Sequence, residues 1–439
     1  MKPQAVFPPE VQASAGSTTL EDATYRKVAL RFIPLLMLCY VVAYLDRVNI
    51  GIAKLTMLTD LQFSEGAYGL GAGLFFIGYM LFEVPSNLIM HKVGARRWIA
   101  RIMISWGLLS GVMAFVTAPW QFYVVRFLLG VAEAGFYPGV ILYLTYWFPN
   151  RRRARVTAVF QAGIPVAGLL GSPLSGWILE RFHQVGGHAG WQWVFLLEAL
   201  PTFPLAIGVL WVLTDRVTHA KWLTEEERGM IARDIANDDH GREHLPLSGI
   251  LRDLRIGKII LMTFPAMMAL YTLGFYLPTL IKDAGAQSGL EIGCLSAIPY
   301  LVAIVAMVLV GRSSDRRRER RWHLAGIMLL GAFGLVASVF AGQHLVLAMI
   351  ALSLAAAGII SFSPIMWTLP TAFLGGATAA ACIGAINSLA NLGGFVSPYL
   401  IGWIRDTYHS TAPAIFIIAG SLVISALLAL SFDPKTVNR

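Results

Sequence analysis

The feature that most constrains this chain is a series of twelve apolar stretches. Each is about as long as the roughly 20 residues that a helix needs to cross a bilayer. They fall at 32–53, 67–90, 98–117, 120–143, 156–180, 192–214, 257–281, 290–311, 323–341, 345–368, 378–402 and 411–432. Of the 439 residues, 56% are hydrophobic and only 13% are charged, against about 25% charged in an average soluble domain. A soluble fold could not cover so apolar a chain with polar surface. A bilayer removes that demand, because lipid solvates the outer face and each helix satisfies its own backbone. The expected fold class is therefore an all-α membrane protein of twelve transmembrane helices in two six-helix bundles. Pro and Gly inside the stretches suit membrane helices, and the pairs Gly69/Gly73, Gly107/Gly111 and Gly135/Gly139 have the small-xxx-small spacing of close packing.

The net charge of +9 raises the question of an anionic partner. With both termini cytoplasmic, 28 of the 34 Lys and Arg fall in the tails and cytoplasmic loops. Lys54, Arg181, Lys282 and Arg405 fall outside, and Arg47 and Arg126 fall within the membrane. This is the positive-inside asymmetry, and it requires an even number of spans. The basic segments thus report topology, with some contact to anionic lipid, and no nucleic acid is needed to explain them. Cys39, Cys294 and Cys382 lie in spans without metal or disulfide spacing and read as small apolar residues. No cleavable leader is seen, and the expected location is a bacterial-type inner membrane.

The longest polar stretch, 215–256, divides the spans six and six. The expected organisation is a cytoplasmic tail (1–31), an N-terminal bundle (32–214), a cytoplasmic linker (215–256), a C-terminal bundle (257–432) and a short tail (433–439). Weak internal similarity points to duplication: Ser172-Pro173 to Trp177-Ile178 is echoed by Ser397-Pro398 to Trp403-Ile404. The loops after the second and eighth spans also correspond, as HKVGARRW (91–98) and GRSSDRRRERRW (311–322). Parallel repeats with a midplane site between them are a common transporter plan.

Charges inside the membrane cost about 2.5–3.5 kcal/mol each even on the lenient insertion scale, so they need partners, water or a task. Arg47 and Arg126 sit at similar depth in antiparallel spans. Guanidinium groups stay charged and match carboxylates in two-pronged geometry, so two facing one cavity make an anion site. Asp46 adjoins Arg47, and Glu133 is two helical turns beyond Arg126. A carboxylate beside an Arg can change protonation when an anion joins that Arg, which is the basis of proton–anion coupling. Buried pairs that merely hold the bundle together are the competing explanation. None of the nine His lies mid-span, so coupling must run through carboxylates. Glu83 is read as a partner of loop arginines, and Glu198 as structural. Among neutral groups, Gln161, Tyr271, Tyr276, Ser361, Ser363, Trp367, Thr368, Asn387 and Asn391 could face a ligand. Asn387 and Asn391 rank highest because they share a helical face.

The second loop resembles the G-x-x-x-D-R signature of the major facilitator superfamily at Gly311, Asp315 and Arg316. The first copy keeps Gly94, Arg96 and Arg97 but has Asn87 and His91 where Gly and Asp are usual. Three further stretches resemble the anion:cation symporter branch: YLDRVNIG (44–51), RFLLGVAEAGFYPGVILYLTYWFP (126–149) and WQWVFLLEALP (191–201). The resemblance implies that the loop motifs brace the cytoplasmic side. It also implies that Asp46 and Glu133 carry protons, that Arg47 binds the anion, and that Tyr79 contacts substrate. Tyr44, in the same motif as Arg47, joins the substrate set with Arg126, Gln161, Ser363, Trp367, Thr368, Asn387 and Asn391.

The function expected is import of an organic carboxylate (a hydroxy, sugar or aromatic acid) by proton symport through alternating access. The alternatives are a proton-coupled exporter, an anion exchanger, and a membrane sensor that moves nothing. An enzyme is not expected: no nucleophile–base set, His-Glu-x-x-His cluster or phosphate-cradling Gly-Lys-Ser/Thr loop is present. No cofactor or metal beyond the coupling proton is expected, and the chain is read as acting as a monomer.

Overall fold

The computed structural model describes residues 15–239, 253–373 and 376–437. Residues 1–14 of the expected N-terminal tail, 240–252 of the linker with His240 and His244, and 438–439 of the C-terminal tail lie outside the described residues. Among the described residues, every regular element is helical. Eleven helices are long and apolar enough to cross a membrane. In chain order the first six are α1 (Leu20–Leu61), α2 (Glu65–Val93), α3 (Ala95–Phe115), α4 (Pro119–Thr145), α5 (Arg155–Arg181) and α6 (Gly190–Val212). The others are α7 (Leu254–Asp283), α8 (Gly289–Arg317), α9 (Arg321–Ala341), α10 (Leu345–Pro370) and α12 (Ala412–Leu430). The stretch expected as one helix over 378–402 is instead two, α11a (Gly376–Asn391) and α11b (Gly393–Tyr408), each too short to cross alone. With this broken span the count is the expected twelve.

At the break in α11 the ladder tightens: the Phe395 N–H reaches only three residues back, to the Leu392 carbonyl at 3.0 Å. Other spans are broken too, and the breaks coincide with polar residues. α4 turns at Gly135 (φ +88°), just after Glu133. α5 is interrupted at Ala162, just after Gln161. α6 breaks around Leu200-Pro201, just after Glu198, and α10 breaks at Trp367. Irregular backbone at membrane depth is tolerated only where protein buries it or where it lines a cavity.

Helices cross closely where glycine removes the side chain. A Cβ on Gly130 of α4 would fall onto the Phe75 carbonyl oxygen of α2, and one on Gly78 would meet the Phe127 carbonyl. The first and last six spans meet in the same way. Gly69 of α2 lies against the Pro398 carbonyl and Gly402 of α11b against the Glu65 carbonyl, while Gly176 of α5 faces Gly289 and Gly293 of α8. Both contacts lie toward the far end of the bundle, the end opposite the start of α1. At the near end, a helix at Glu225–Asp239 within the linker docks on the first six spans. Lys27 of α1 pairs with Glu227 at 3.0 Å, and Tyr25 donates to Asp234 at 2.8 Å.

The glycine crossing of α2 and α4 gives a direct stability test. Gly130→Ala should destabilise the protein by about 1–3 kcal/mol through overpacking. Gly111→Ala, with nothing within 4 Å of the new methyl, should be neutral or gain up to about 1 kcal/mol of helix propensity. Thermal melts of the two purified variants, followed by tryptophan fluorescence, compare them.

Candidate functional site

The centre of the bundle is a chain of hydrogen bonds that joins the first six spans to the last six. Arg47 of α1 forms a buried ion pair with Glu133, the last residue before the break in α4. Its other terminal nitrogen donates to the Tyr271 hydroxyl of α7 at 3.1 Å. Tyr271 in turn donates to Asn391 Oδ1 at 3.0 Å, at the break in α11. The guanidinium lies 5.1 Å from the centre of the Phe75 ring, 5.3 Å from Tyr79 and 5.9 Å from Tyr44, within reach of cation–π attraction. Four of the residues expected at the site (Arg47, Glu133, Tyr79 and Asn391) thus converge, with Tyr44 at their edge.

Arg126 has a different environment. It is 1% exposed, and a terminal nitrogen donates to the Ala72 carbonyl at 3.2 Å. Its Nε, like that of Arg47, is buried without a hydrogen-bond partner among the described residues, and the cation rests 5.1 Å from the centre of the same Phe75 ring. Among the described residues no carboxylate forms an ion pair with it. A buried cation without its counter-ion is costly, and an anionic ligand is the natural complement.

Asp46 turns away from this cluster despite its place beside Arg47. Neighbouring residues on a helix point about 100° apart, and the Asp46 carboxylate accepts from Trp106 Nε1 (3.1 Å) and Ser110 Oγ (3.0 Å), both of α3. Gln161 donates to the Tyr137 hydroxyl at 2.6 Å. Together with Ser363 it lines a central cavity of 20 Å³ walled by residues of α5, α7, α8 and α10. That is space for about one water. Trp367 is half-buried beside the break in α10, and Thr368 donates back to the Ile365 carbonyl at 2.7 Å. The Ser361 hydroxyl is buried without a partner.

Asn387 does not share the environment of Asn391. Its amide donates to Glu83 of α2 at 2.9 Å, and the Ser388 hydroxyl binds the other carboxylate oxygen. Glu83 therefore takes α11a as its partner rather than the loop arginines expected. The contact is a latch between α2 and α11a on the near-end side of the cluster. A second latch closes the far end, and the sequence reading missed it by placing Lys54 and Arg405 in loops. Lys54 is buried in α1, 2.7 Å from Glu65 and over the rings of Tyr276 (4.1 Å) and Tyr68 (4.8 Å). Arg405 of α11b reaches Glu65 at 3.2 Å and Asp283 of α7 at 2.9 Å. Asp406 accepts from the first two backbone N–H groups of α2 at 2.9 and 2.8 Å. Opposite charges clustered near span ends were the available signal.

The sequence matches the Major Facilitator Superfamily over residues 36–398. The chain belongs to that family. A protein of Agrobacterium vitis named "Putative tartrate transporter" is 51% identical, the match covering 95% of this chain and 94% of that one. A Pseudomonas putida protein named "Putative metabolite transport protein NicT" is 47% identical, with 95% and 96% covered. The crystal structure of a D-xylose–proton symporter shares the fold, with a TM-score of 0.72 over 93% of this chain and 99% of that one at 17% identity. The protein is a multi-pass membrane transporter and not an enzyme.

Within the facilitator fold, the loop motifs are unequal. The second copy, expected in a loop, lies in the last turns of α8: Asp315 pairs with Arg320 at 2.6 Å, Arg316 is exposed, and a Cβ on Gly311 would meet nothing within 4 Å. In the first copy the acid missing at His91 is supplied from elsewhere. Asp215, just past α6, accepts from the Arg96 backbone N–H at 2.9 Å and lies against Gly94 (φ +97°), while Arg97 is exposed. The carboxylate sits at the start of α3, where the helix dipole favours a negative charge.

The far-end latch predicts a conformational shift. Glu65→Gln leaves Lys54 buried without its counter-charge, a loss of about 3–5 kcal/mol for a broken buried pair. Spin labels on the far ends of α1 and α7 should then report a longer distance by electron–electron double resonance. Lys54→Met combined with Glu65→Gln should restore much of the closed population.

Proposed function

We propose that this chain imports an organic carboxylate anion of the tartrate type together with protons, by alternating access across a bacterial inner membrane with both termini in the cytoplasm. The observation that carries this reading is the pair of buried guanidiniums, one paired with Glu133 and the other with no carboxylate partner among the described residues. Arg126 can accept one carboxylate group directly. Arg47 can do so once Glu133 lets go, and protonation of Glu133 is the chemical event that releases it. Proton and anion then stabilise each other's binding at one cluster. The 51% identity to a protein named as a tartrate transporter supports a hydroxylated carboxylate, and Gln161, Ser363, Asn391 and the tyrosine hydroxyls supply partners for its hydroxyl groups.

In this reading the far end faces outward, and the Lys54–Glu65–Arg405–Asp283 latch closes behind the substrate. The near end opens when Glu83 releases Asn387 and Ser388. The Tyr271 link carries the state of Arg47 from the first six spans to the last six. Asp46 serves as a further proton site, and each net positive charge carried toward an interior-negative side gains about 2.3 kcal/mol per 100 mV of membrane potential. The chain acts as a monomer, because the whole cluster is built from one copy.

Proteoliposomes given labelled tartrate, galactonate, phthalate or 4-hydroxyphenylacetate, with and without an inward proton gradient, test the reading. Accumulation of one carboxylate only with the gradient is the expected result. No gradient-dependent uptake in sealed, oriented vesicles points instead to an exchanger or exporter. Glu133→Gln should abolish uphill accumulation while retaining counterflow exchange. Arg126→Gln should raise the KM for the anion at least tenfold, since a hydrogen-bonded charge pair contributes about 1.5–3 kcal/mol.

A further inference from the structure

Glu198 of α6 is 2% exposed, and the anion cluster just described makes no use of it. One carboxylate oxygen accepts from Ser175 Oγ of α5 at 2.6 Å. The other, Oε2, is buried with no hydrogen bond among the described residues. Asn49 of α1 lies beside Glu198 and Thr202 beside Asp46, and among the described residues neither amide atom of Asn49 nor the Thr202 hydroxyl meets a partner at hydrogen-bond geometry. The helices packed against this part of α6 are α1, α3 and α5. The groups they direct at the cluster are Asp46 and Asn49, Trp106 and Ser110, and Ser175, respectively. Among the described residues neither acid forms an ion pair with a cation, and Asp46 is the charged group that bears on Glu198.

The two acids differ in one respect. Each Asp46 oxygen receives a donor, from Trp106 or Ser110, so that carboxylate is satisfied as an anion. Glu198 Oε2 receives none among the described residues, and the amide of Asn49 beside it keeps an unused acceptor. A carboxylic acid O–H on Oε2 would fill both vacancies at once. Two unneutralised carboxylates in one dry pocket would otherwise both bear the full cost of burial.

We propose that Glu198 is a proton-binding site, paired with Asp46 and separate from the Arg47–Glu133 cluster. The O–H bond forms on Oε2 and donates to Asn49, and Ser175 continues to donate to Oε1. When the proton leaves, it passes to Asp46 or to water and leaves a carboxylate held by Ser175 alone. The break in α6 at Leu200-Pro201 sets Thr202 beside Asp46, where its hydroxyl can take part in that transfer. As a contributor to transport this site rests on the proton-coupled reading above; as a site that binds a proton it does not.

Infrared difference spectra of the reconstituted full-length protein, recorded as a function of pH, test the assignment directly. A protonated-carboxyl C=O band should be present in the wild type and lost in Glu198→Gln, which keeps the shape and the Ser175 bond. The number of protons moved per anion should fall by one in that variant, with the anion KM changed less than twofold. A band unchanged in Glu198→Gln overturns the proposal. A lost band with unchanged stoichiometry overturns the role in transport and keeps the binding site. Should Glu198→Gln fail to elute as a single folded species, Asn49→Ala should shift the same band, and an unshifted band overturns the proposal. Should the wild type carry no protons with any anion, the symport reading fails, while the band still decides whether Glu198 binds a proton.

Discussion

A guanidinium cannot lose its charge inside a bilayer, and this protein holds two of them at its centre. The arrangement around Arg47 and Arg126 follows from that. Arg47 is met by a carboxylate, a phenol and three aromatic rings drawn from α1, α2, α4 and α7. Arg126 is met by one carbonyl and one ring. The difference is one of charge: both Nε atoms are left over, but among the described residues only Arg47 has a carboxylate partner. Aromatic rings suit such a place, since they offer a negative face to the cation without competing as a fixed anion.

Around this centre the backbone is divided between rigid and broken parts. Where α2 passes α4, and where α5 passes α8, glycine brings main chain against main chain and leaves little room for sliding. The breaks fall elsewhere, directly after Glu133, Gln161, Glu198 and Asn391. A broken helix frees carbonyl and N–H groups that a continuous one would use internally, so it makes a polar neighbourhood in an apolar solvent. Placing titratable and amide side chains at those points reduces the cost of both.

Much of the fold was legible in the sequence, because hydropathy over about 20 residues depends on the bilayer and hardly on packing. The twelve expected stretches agree with the helices to within a few residues, apart from α1, which starts earlier and runs on past Lys54, α8, which runs on to Arg317 through the expected loop motif, and α11, whose break needed the positions of neighbouring helices. The site was legible in part. That Arg47, Arg126 and Glu133 matter followed from the cost of burying charge, but their partners did not, because a helical wheel gives a face and not what stands opposite. Asn387 and Asn391 share a face four residues apart, yet one binds Glu83 and the other Tyr271. Asp46 and Arg47 are adjacent in sequence and serve different pockets. Asp215 fills the place of an absent motif acid from over a hundred residues away, and no spacing rule within the loop could have found it.

The two latches are built from different chemistry. The far one is ionic and partly exposed: the Glu65, Arg405 and Asp283 side chains keep 20%, 23% and 43% of their surface. The near one sets a buried carboxylate against an amide and a hydroxyl. Dissolved salt screens exposed charges over about 8 Å at physiological ionic strength and hardly touches buried neutral donors. Ionic strength on the two sides of the membrane therefore acts unequally on the molecule. With the far end outward, as proposed above, salt outside the cell loosens one door and leaves the other as it was.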